Sequence, residues 1–269
     1  MLAFVRVVLI ASAFMLTGRT VAVAQVDVDV KLVLAVDISM SMDPGEQRLQ
    51  REGYVEAFRD PNVIRAIRGG QIGRIAVTYF EWAGPQYQSV LVPWRLIDSE
   101  ATALQFAADL LAQPYTRRQW TSISSALLFA QTLLATPDYR SSRHVIDVSG
   151  DGVNNSGPMM SVIHPRILAA GIVINGLPIL VRPTLSWTAW DAPELDLYYG
   201  NCVIGGQGAF MVPIETPEEF ATATRRKLLQ EIASIAPPRL IRVQATNRDP
   251  KAYDCGEVER RIERRQWEN

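Results

Sequence analysis

Short apolar runs alternate with amphipathic segments along most of this chain, and this alternation limits the folds it can adopt. Lys31–Asp37, residues 144–148 and residues 172–180 are apolar enough to be buried strands. Helical spacing is found in Pro44–Arg59 and in residues 102–111, 122–134, 159–169 and about 217–235. Strands alternating with helices predict an α/β protein with a doubly wound, mostly parallel central sheet and helices on both faces.

One pair of segments departs from the parallel pattern. Residues 72–82 and 87–92 are rich in β-branched and aromatic side chains and are interrupted by Ala83-Gly84-Pro85. A short break of this kind between two strands favours a hairpin. We therefore expect one antiparallel strand at the edge of the sheet.

The first buried strand ends in a cluster of oxygen donors, Asp37-Ile38-Ser39-Met40-Ser41. Ligands of open α/β sheets gather at the carboxyl ends of the strands. One carboxylate and two hydroxyls suit Mg²⁺, Mn²⁺ or Ca²⁺ better than a soft metal. The alternative is that Asp37, Ser39 and Ser41 cap the helix that starts near Pro44.

Two later segments place further oxygen atoms at the same edge. Thr121 stands just before the helix predicted at 122–134, where its hydroxyl would either cap that helix or reach into the crevice. Asp151 lies in Ser149-Gly150-Asp151-Gly152, a sharp turn after the strand predicted at 144–148. All three segments are expected to meet.

These three motifs, in this order, resemble those of the von Willebrand factor type A domains, also called integrin I-like domains. The resemblance extends from about Lys31 to Ala233. It implies a metal ion-dependent adhesion site that holds Mg²⁺, with Mn²⁺ or Ca²⁺ as alternatives. Residue by residue, Ser39, Ser41 and Thr121 would be direct ligands, and Asp37 and Asp151 would bind the metal or its waters. An Asp or Glu of a protein partner would then complete the coordination.

Several acids and amides near these motifs have competing interpretations. Asp147 lies inside a predicted strand, where it would either face the crevice or be a buried paired group, so Asp151 is favoured as the third-motif carboxylate. Asn154 and Asn155 would support the site or only form a turn. Asp43, directly before Pro44, is better suited to cap a helix than to bind metal.

Enzymatic alternatives have less support. A phosphatase with an aspartate nucleophile needs a second Asp two residues later, where Ser39 stands. A serine hydrolase would need a Gly-x-Ser-x-Gly turn, and the only histidines, His144 and His164, have no neighbouring nucleophile. The Gly205-Gly206-Gln207-Gly208 run is a weak phosphate-loop candidate because it does not open a strand-to-helix turn.

The amino terminus predicts export. A short basic start is followed by an apolar run at 7–16 and by Ala22-Val23-Ala24, which is typical of a signal peptide cleaved near Ala24. The run is too short to be a membrane anchor. The first 24 residues hold Arg6 and Arg19 and no acid, so the other 245 carry 25 basic and 28 acidic side chains. This slight negative charge argues against nucleic-acid binding.

Cys202 and Cys255 are the only cysteines, and an even count in an exported chain favours a disulfide. The aromatic-rich insertion at 182–208 would be either a partner-binding loop or a lid on its own domain. Its aromatic residues are Trp187, Trp190, Tyr198 and Tyr199. Residues 237–269 are polar, with a short strand possible at 239–243.

Together these observations predict a signal peptide at 1–24, a type A-like domain at 25–236 and a polar extension at 237–269. The expected protein is periplasmic or secreted, has no enzymatic activity, and uses a divalent cation to bind an acidic residue of a protein partner. The alternatives are a structural domain that keeps the fold without metal and, less favoured, a metal-dependent hydrolase.

Overall fold

A five-stranded sheet forms the centre of the protein, in a computed structural model that describes residues 25–181, 195–233 and 253–267. The strand order is β4-β3-β2-β6-β7, and all neighbours are parallel except β3 and β4. These strands are β2 Lys31–Asp37, β3 Ile75–Trp82, β4 Gln88–Ile97, β6 His144–Gly150 and β7 Ile172–Pro178. A separate parallel pair joins β1 Val26–Asp27 to β5 Tyr139–Arg140. The predicted doubly wound sheet with one antiparallel edge strand is confirmed.

Helices cover both faces of the sheet. One face carries α1 Pro44–Arg59, α2 Pro61–Arg68, α3 Glu100–Leu111 and α7 Phe220–Ala233. The other carries α4 Ile123–Leu134, α5 Met160–Ala169, and the short α6 Leu195–Tyr198, which continues into a π-helical turn at Tyr199–Val203. Strand β2 divides its side chains accordingly, with Leu32, Leu34 and Val36 in one core and Val33 and Ala35 in the other. This alternation fixes the strand in register between two apolar layers.

Most element boundaries agree with the sequence prediction to within a few residues. The strand predicted at 87–92 extends to Ile97, and the last predicted helix begins as a 3-10 turn, Pro217–Glu219, before α7. Beyond the glycine-rich run, residues 209–214 lie parallel to β7 through bridges at Met211 and Ile214. The expected signal peptide, the strand at 239–243, and Trp187 and Trp190 lie outside the described residues.

A buried group of charges lies under the middle of the sheet. Asp147, on β6, forms an ion pair with Lys227, and Lys227 Nζ also lies 2.5 Å from Glu231 Oε1. Tyr54 donates a hydrogen bond of 3.3 Å to Asp147. Burial and the Asp147 charge raise the pKa of Glu231 to about 7, although the charge of Lys227 opposes the rise. Of the two roles predicted for Asp147, the structure therefore shows the buried paired group, and Asp147 does not line the crevice.

A disulfide attaches the carboxyl-terminal helix to the domain. Cys202, in the π-helical turn, is bonded to Cys255, the first residue of α8 Cys255–Trp267. Glu259 and Ile262 of this helix are buried against the α5 side. The predicted pairing is thus present, and α8 is packed on the domain. No helix in the described part of the chain is long and apolar enough to cross a membrane.

Candidate metal centre

The loop after β2 folds back so that its three oxygen-bearing residues converge. The main-chain N–H of Ser39 donates to Asp37 Oδ1 at 2.7 Å, and the hydroxyls of Ser39 and Ser41 lie 2.8 Å apart. Asp37 and Ser39 are buried, whereas Ser41 is exposed. The cluster is therefore anchored in the core and open to solvent at Ser41.

Asp151 closes the cluster from the neighbouring strand. It follows β6 directly, and its Oδ1 accepts a hydrogen bond of 2.7 Å from the Ser41 hydroxyl. Because β2 and β6 are parallel neighbours, their carboxyl ends place Asp37 and Asp151 at the same edge, as expected.

Thr121 reaches the same edge from the start of α4. A Cβ atom built on Gly152 would lie 3.5 Å from Thr121 Oγ1, so the Asp151-Gly152 turn packs against this hydroxyl. Thr121 N–H donates to Asn155 Oδ1 at 2.8 Å, and Asn155 N–H donates to Thr121 O at 2.9 Å. This pair of hydrogen bonds connects the loop after β6 to the start of α4. The three motifs are thus brought together.

Helix capping does not account for these hydroxyls. The cap of α1 is Asp43, whose Oδ1 accepts from the N–H groups of Gly45 and Glu46, while Glu46 accepts from Asp43 N–H. The cap of α4 is Ser122, not Thr121. The capping interpretation of Asp37, Ser39 and Ser41 is therefore wrong, and the role of Asp43 as a cap is confirmed.

The electrostatics of the cluster favour a cation. Burial, together with the charge of Asp151, raises the pKa of Asp37 well above its ordinary value. Among the described residues no group completes a well-formed hydrogen bond to Asp37 Oδ2, although this atom is buried, and the nearby Asp151 N–H only partly offsets the rise. A buried carboxylate oxygen without a partner is costly, and a divalent cation would relieve that cost.

Gly150 allows the two acidic loops to approach so closely. A Cβ atom at this position would lie 2.8 Å from Asp37 Oδ2 and 3.1 Å from the Tyr199 hydroxyl. Tyr199 is itself fully buried, and burial together with the Asp37 charge raises its pKa well above the ordinary value. A side chain at residue 150 would therefore push Asp37 out of place.

The donor set fits a hard divalent cation. Two carboxylates and three hydroxyls present only oxygen atoms, which suits Mg²⁺, Mn²⁺ or Ca²⁺. Among the described residues, no cluster of three or more His, Cys, Asp or Glu side chains is placed to hold a metal, so a site made mainly of cysteine and histidine is not found there.

Some supporting residues were not evident from the sequence. Glu259 of α8 accepts hydrogen bonds from Tyr198 Oη at 2.8 Å and Asn154 Nδ2 at 3.3 Å. Asn154 Oδ1 in turn accepts from the N–H of Ser124 at 3.1 Å. Asn154 and Asn155 therefore do more than form a turn, since both link the Asp151 loop to α4. Tyr198 and Tyr199 belong to the core, so these two aromatics of the insertion pack on their own domain.

The other candidates lie away from this edge. His144 begins β6, at the end of the strand opposite the site. His164 lies within α5, and its Nε2 is 3.1 Å from Ile204 O. Gly205 pairs with Ile174 of β7, and Gly206 and Gly208 have positive φ values of 97° and 75°. The glycine-rich run is thus a turn packed beside the sheet edge and does not begin a helix.

Comparison with known proteins adds to this geometry. The family described as "Protein of unknown function (DUF1194)" matches residues 27–236. The chain belongs to this family. Its fold is von Willebrand factor type A-like, in agreement with the resemblance carried by the three motifs. None of the curated proteins matches the sequence.

Solved structures with the same fold are distant in sequence. Proximal thread matrix protein 1 from the mussel byssus is 10% identical with a TM-score of 0.55, covering 78% of this chain and 49% of its own. A second structure of that mussel protein, described as having a zinc-occupied MIDAS motif, is 11% identical with a TM-score of 0.52 over the same shares of the two chains. The pilus adhesin SpaC from Lactobacillus rhamnosus GG is 13% identical with a TM-score of 0.51, covering 76% of this chain and 31% of its own. This DUF1194 chain thus spans half or less of these structures.

Proposed function

We propose that this protein binds a divalent cation at a metal ion-dependent adhesion site and uses it to hold an Asp or Glu side chain of a protein partner. Asp37, Ser39, Ser41, Thr121 and Asp151 would form the site, with Mg²⁺ as the expected ion and Mn²⁺ or Ca²⁺ as alternatives. The ion would supply a Lewis-acidic centre with a position open to a carboxylate. This function is binding without catalysis.

One observation carries the proposal. The five residues converge at one edge of the sheet although other residues, Asp43 and Ser122, cap the two helices there. The buried Asp37 Oδ2, to which no described residue completes a well-formed hydrogen bond, is best explained by a cation. The zinc-occupied motif in the mussel protein of the same fold supports the same assignment.

Export is part of the proposal. The Cys202–Cys255 disulfide favours an oxidising compartment, as does the expected signal peptide at 1–24. The site would then face partners in the periplasm or outside the cell.

Mg²⁺ is expected to raise the thermal unfolding temperature of the protein. Ligand at a hundredfold excess over its dissociation constant stabilises the folded state by about 2.7 kcal/mol, which corresponds to several degrees for a chain of this size. Asp151→Asn keeps an acceptor for Ser41 and removes one charge, so it should abolish most of the shift. The matched control is Asp98→Asn, which lies at the opposite end of the sheet in the turn before α3 and should keep the full shift.

A domain that keeps the fold without metal would behave differently. In the wild-type protein and in each variant, the unfolding temperature measured with Mg²⁺, Mn²⁺ or Ca²⁺ would equal that measured with chelator. That outcome would reject the proposed metal site.

A further inference from the structure

Two large apolar side chains are exposed next to the proposed metal centre. Met40 lies between Ser39 and Ser41 and is 55% exposed, and Trp120 directly precedes Thr121 and is 50% exposed. They line one groove of about 730 Å³, together with Tyr87, Arg117 and Arg118. Ser156, from the loop that carries Asp151, also lines it. The groove therefore lies beside the metal site, and its lining includes residues from the loops that carry all three motifs.

The backbone of Trp120 is held in an unfavourable conformation. Its φ is +71°, in the left-handed region that bulky residues rarely adopt, and it is the one non-glycine with positive φ in the described ranges. The β3–β4 turn holds it there, because Gly84 N–H donates to Gln119 O at 3.1 Å and Ser122 N–H donates to Ala83 O at 2.8 Å. Strain of this kind persists where surrounding structure imposes it, often at binding sites. Here it orients an indole towards solvent.

The rest of this loop is fixed as well. Arg51 donates to the carbonyl oxygens of Gln113 and Pro114, at 2.6 and 3.1 Å. Arg118 N–H donates to Ile38 O at 3.0 Å, directly beside the metal loop. The groove wall is thus attached to β2 and α1, and its exposed side chains are presented in a defined arrangement.

The groove is positively charged although the chain has a net charge of −1. Arg117 donates to Met40 O at 2.6 Å, and Arg118 donates to Arg117 O at 2.9 Å and lies 4.8 Å above the Tyr87 ring. Main-chain carbonyls orient these guanidinium groups, and no carboxylate is among the described residues that line the groove, although the charge of Arg117 also acts on the nearby Glu46 carboxyl. Two arginines beside exposed Trp and Met side chains are typical of the centre of a protein interface.

We propose that this groove binds the residues that flank the metal-bound carboxylate of the partner, and that the partner segment is both acidic and apolar. A second Asp or Glu would contact Arg117 and Arg118, and an aromatic or aliphatic side chain would pack between Met40 and Trp120. This inference rests on the proposed function, because only a partner whose carboxylate is bound by the metal would place its flanking residues in the adjacent groove.

The test uses a random 12-residue peptide library displayed on phage and selected on the immobilised protein in Mg²⁺. Enriched peptides should contain one acidic residue needed for binding, a second acid and an apolar residue near it, and should be released by chelator. Affinities of synthetic copies are then measured for the wild-type protein, Trp120→Gly and Arg118→Gln. Trp120→Gly is chosen because glycine adopts positive φ without strain, so the loop keeps its shape while the indole is lost.

Both variants are expected to weaken the peptides at least tenfold while their affinity for Mg²⁺ alone, measured by calorimetry, stays within twofold of wild type. The controls are Val162→Ala and Arg68→Gln, which are exposed on α5 and α2 and should leave both affinities unchanged. If chelator-sensitive peptides bind both groove variants as tightly as wild type, the groove is not a binding surface, while the proposed metal site is retained. Failure to select peptides that depend on Trp120, or selection of peptides indifferent to chelator, would also overturn the groove as described.

Discussion

Replacing Lys227 with Met is expected to lower the free energy of unfolding by about 3–5 kcal/mol, because removing one partner of a buried ion pair leaves uncompensated charge. Lys227 is fully buried and pairs with both Asp147 and Glu231. Methionine fills a similar volume, so the loss would come mainly from the two carboxylates that remain. Urea denaturation followed by circular dichroism measures the effect.

The control for this variant lies next to it on the same helix. Arg226→Met changes an exposed side chain of α7 and should alter stability by less than about 0.5 kcal/mol. Adding Asp147→Asn and Glu231→Gln to Lys227→Met should restore part of the loss, since both uncompensated charges are then removed. If Lys227→Met alone were as stable as Arg226→Met, the buried ion pairs of Lys227 would contribute little to the free energy of unfolding.

Removing the disulfide is expected to have an effect of similar size. The Cys202–Cys255 bond spans a sequence separation of 53, for which the chain-entropy model gives about 4 kcal/mol. Cys202→Ser with Cys255→Ser should therefore lower the urea midpoint strongly, and reduction of the wild-type protein should give the same midpoint. If both forms unfolded at the wild-type urea concentration, packing of Glu259 and Ile262 alone would be holding α8 in place.

Local patterns predicted the sheet and the position of the candidate site. The run Lys31–Asp37 is a strand with the predicted bounds because it is apolar on both faces, and α1 begins at Pro44 because Asp43 caps it. Asp37 and Asp151 could be placed together because parallel neighbours end at one edge. These inferences need only neighbouring residues and the rules of α/β topology.

Local sequence patterns do not predict interactions between distant segments. Asp147 stood in an apolar strand as an unexplained acid, and its partner Lys227 lies on the last helix of the domain, a pairing that no local pattern reveals. The contact of Glu259 with Asn154 depends on where the disulfide places α8. The left-handed backbone of Trp120 is imposed by the β3–β4 turn and leaves no signal in the residues around it.

Metal binding by the Asp37, Ser39, Ser41 loop is measured by calorimetric titration of Mg²⁺ into the wild-type protein and into Ser39→Ala with Ser41→Ala. The two hydroxyls lie 2.8 Å apart beside Asp37 and Asp151, and the double variant removes both while leaving the carboxylates in place. We expect one site in the wild-type protein and at least a hundredfold weaker binding in the variant. Ser142→Ala with Thr132→Ala, two exposed hydroxyl side chains at the opposite edge of the sheet, should bind as wild type does. Equal Mg²⁺ affinity in the wild-type protein and the Ser39, Ser41 variant would mean that these hydroxyls do not bind the metal and that the proposed site is wrong.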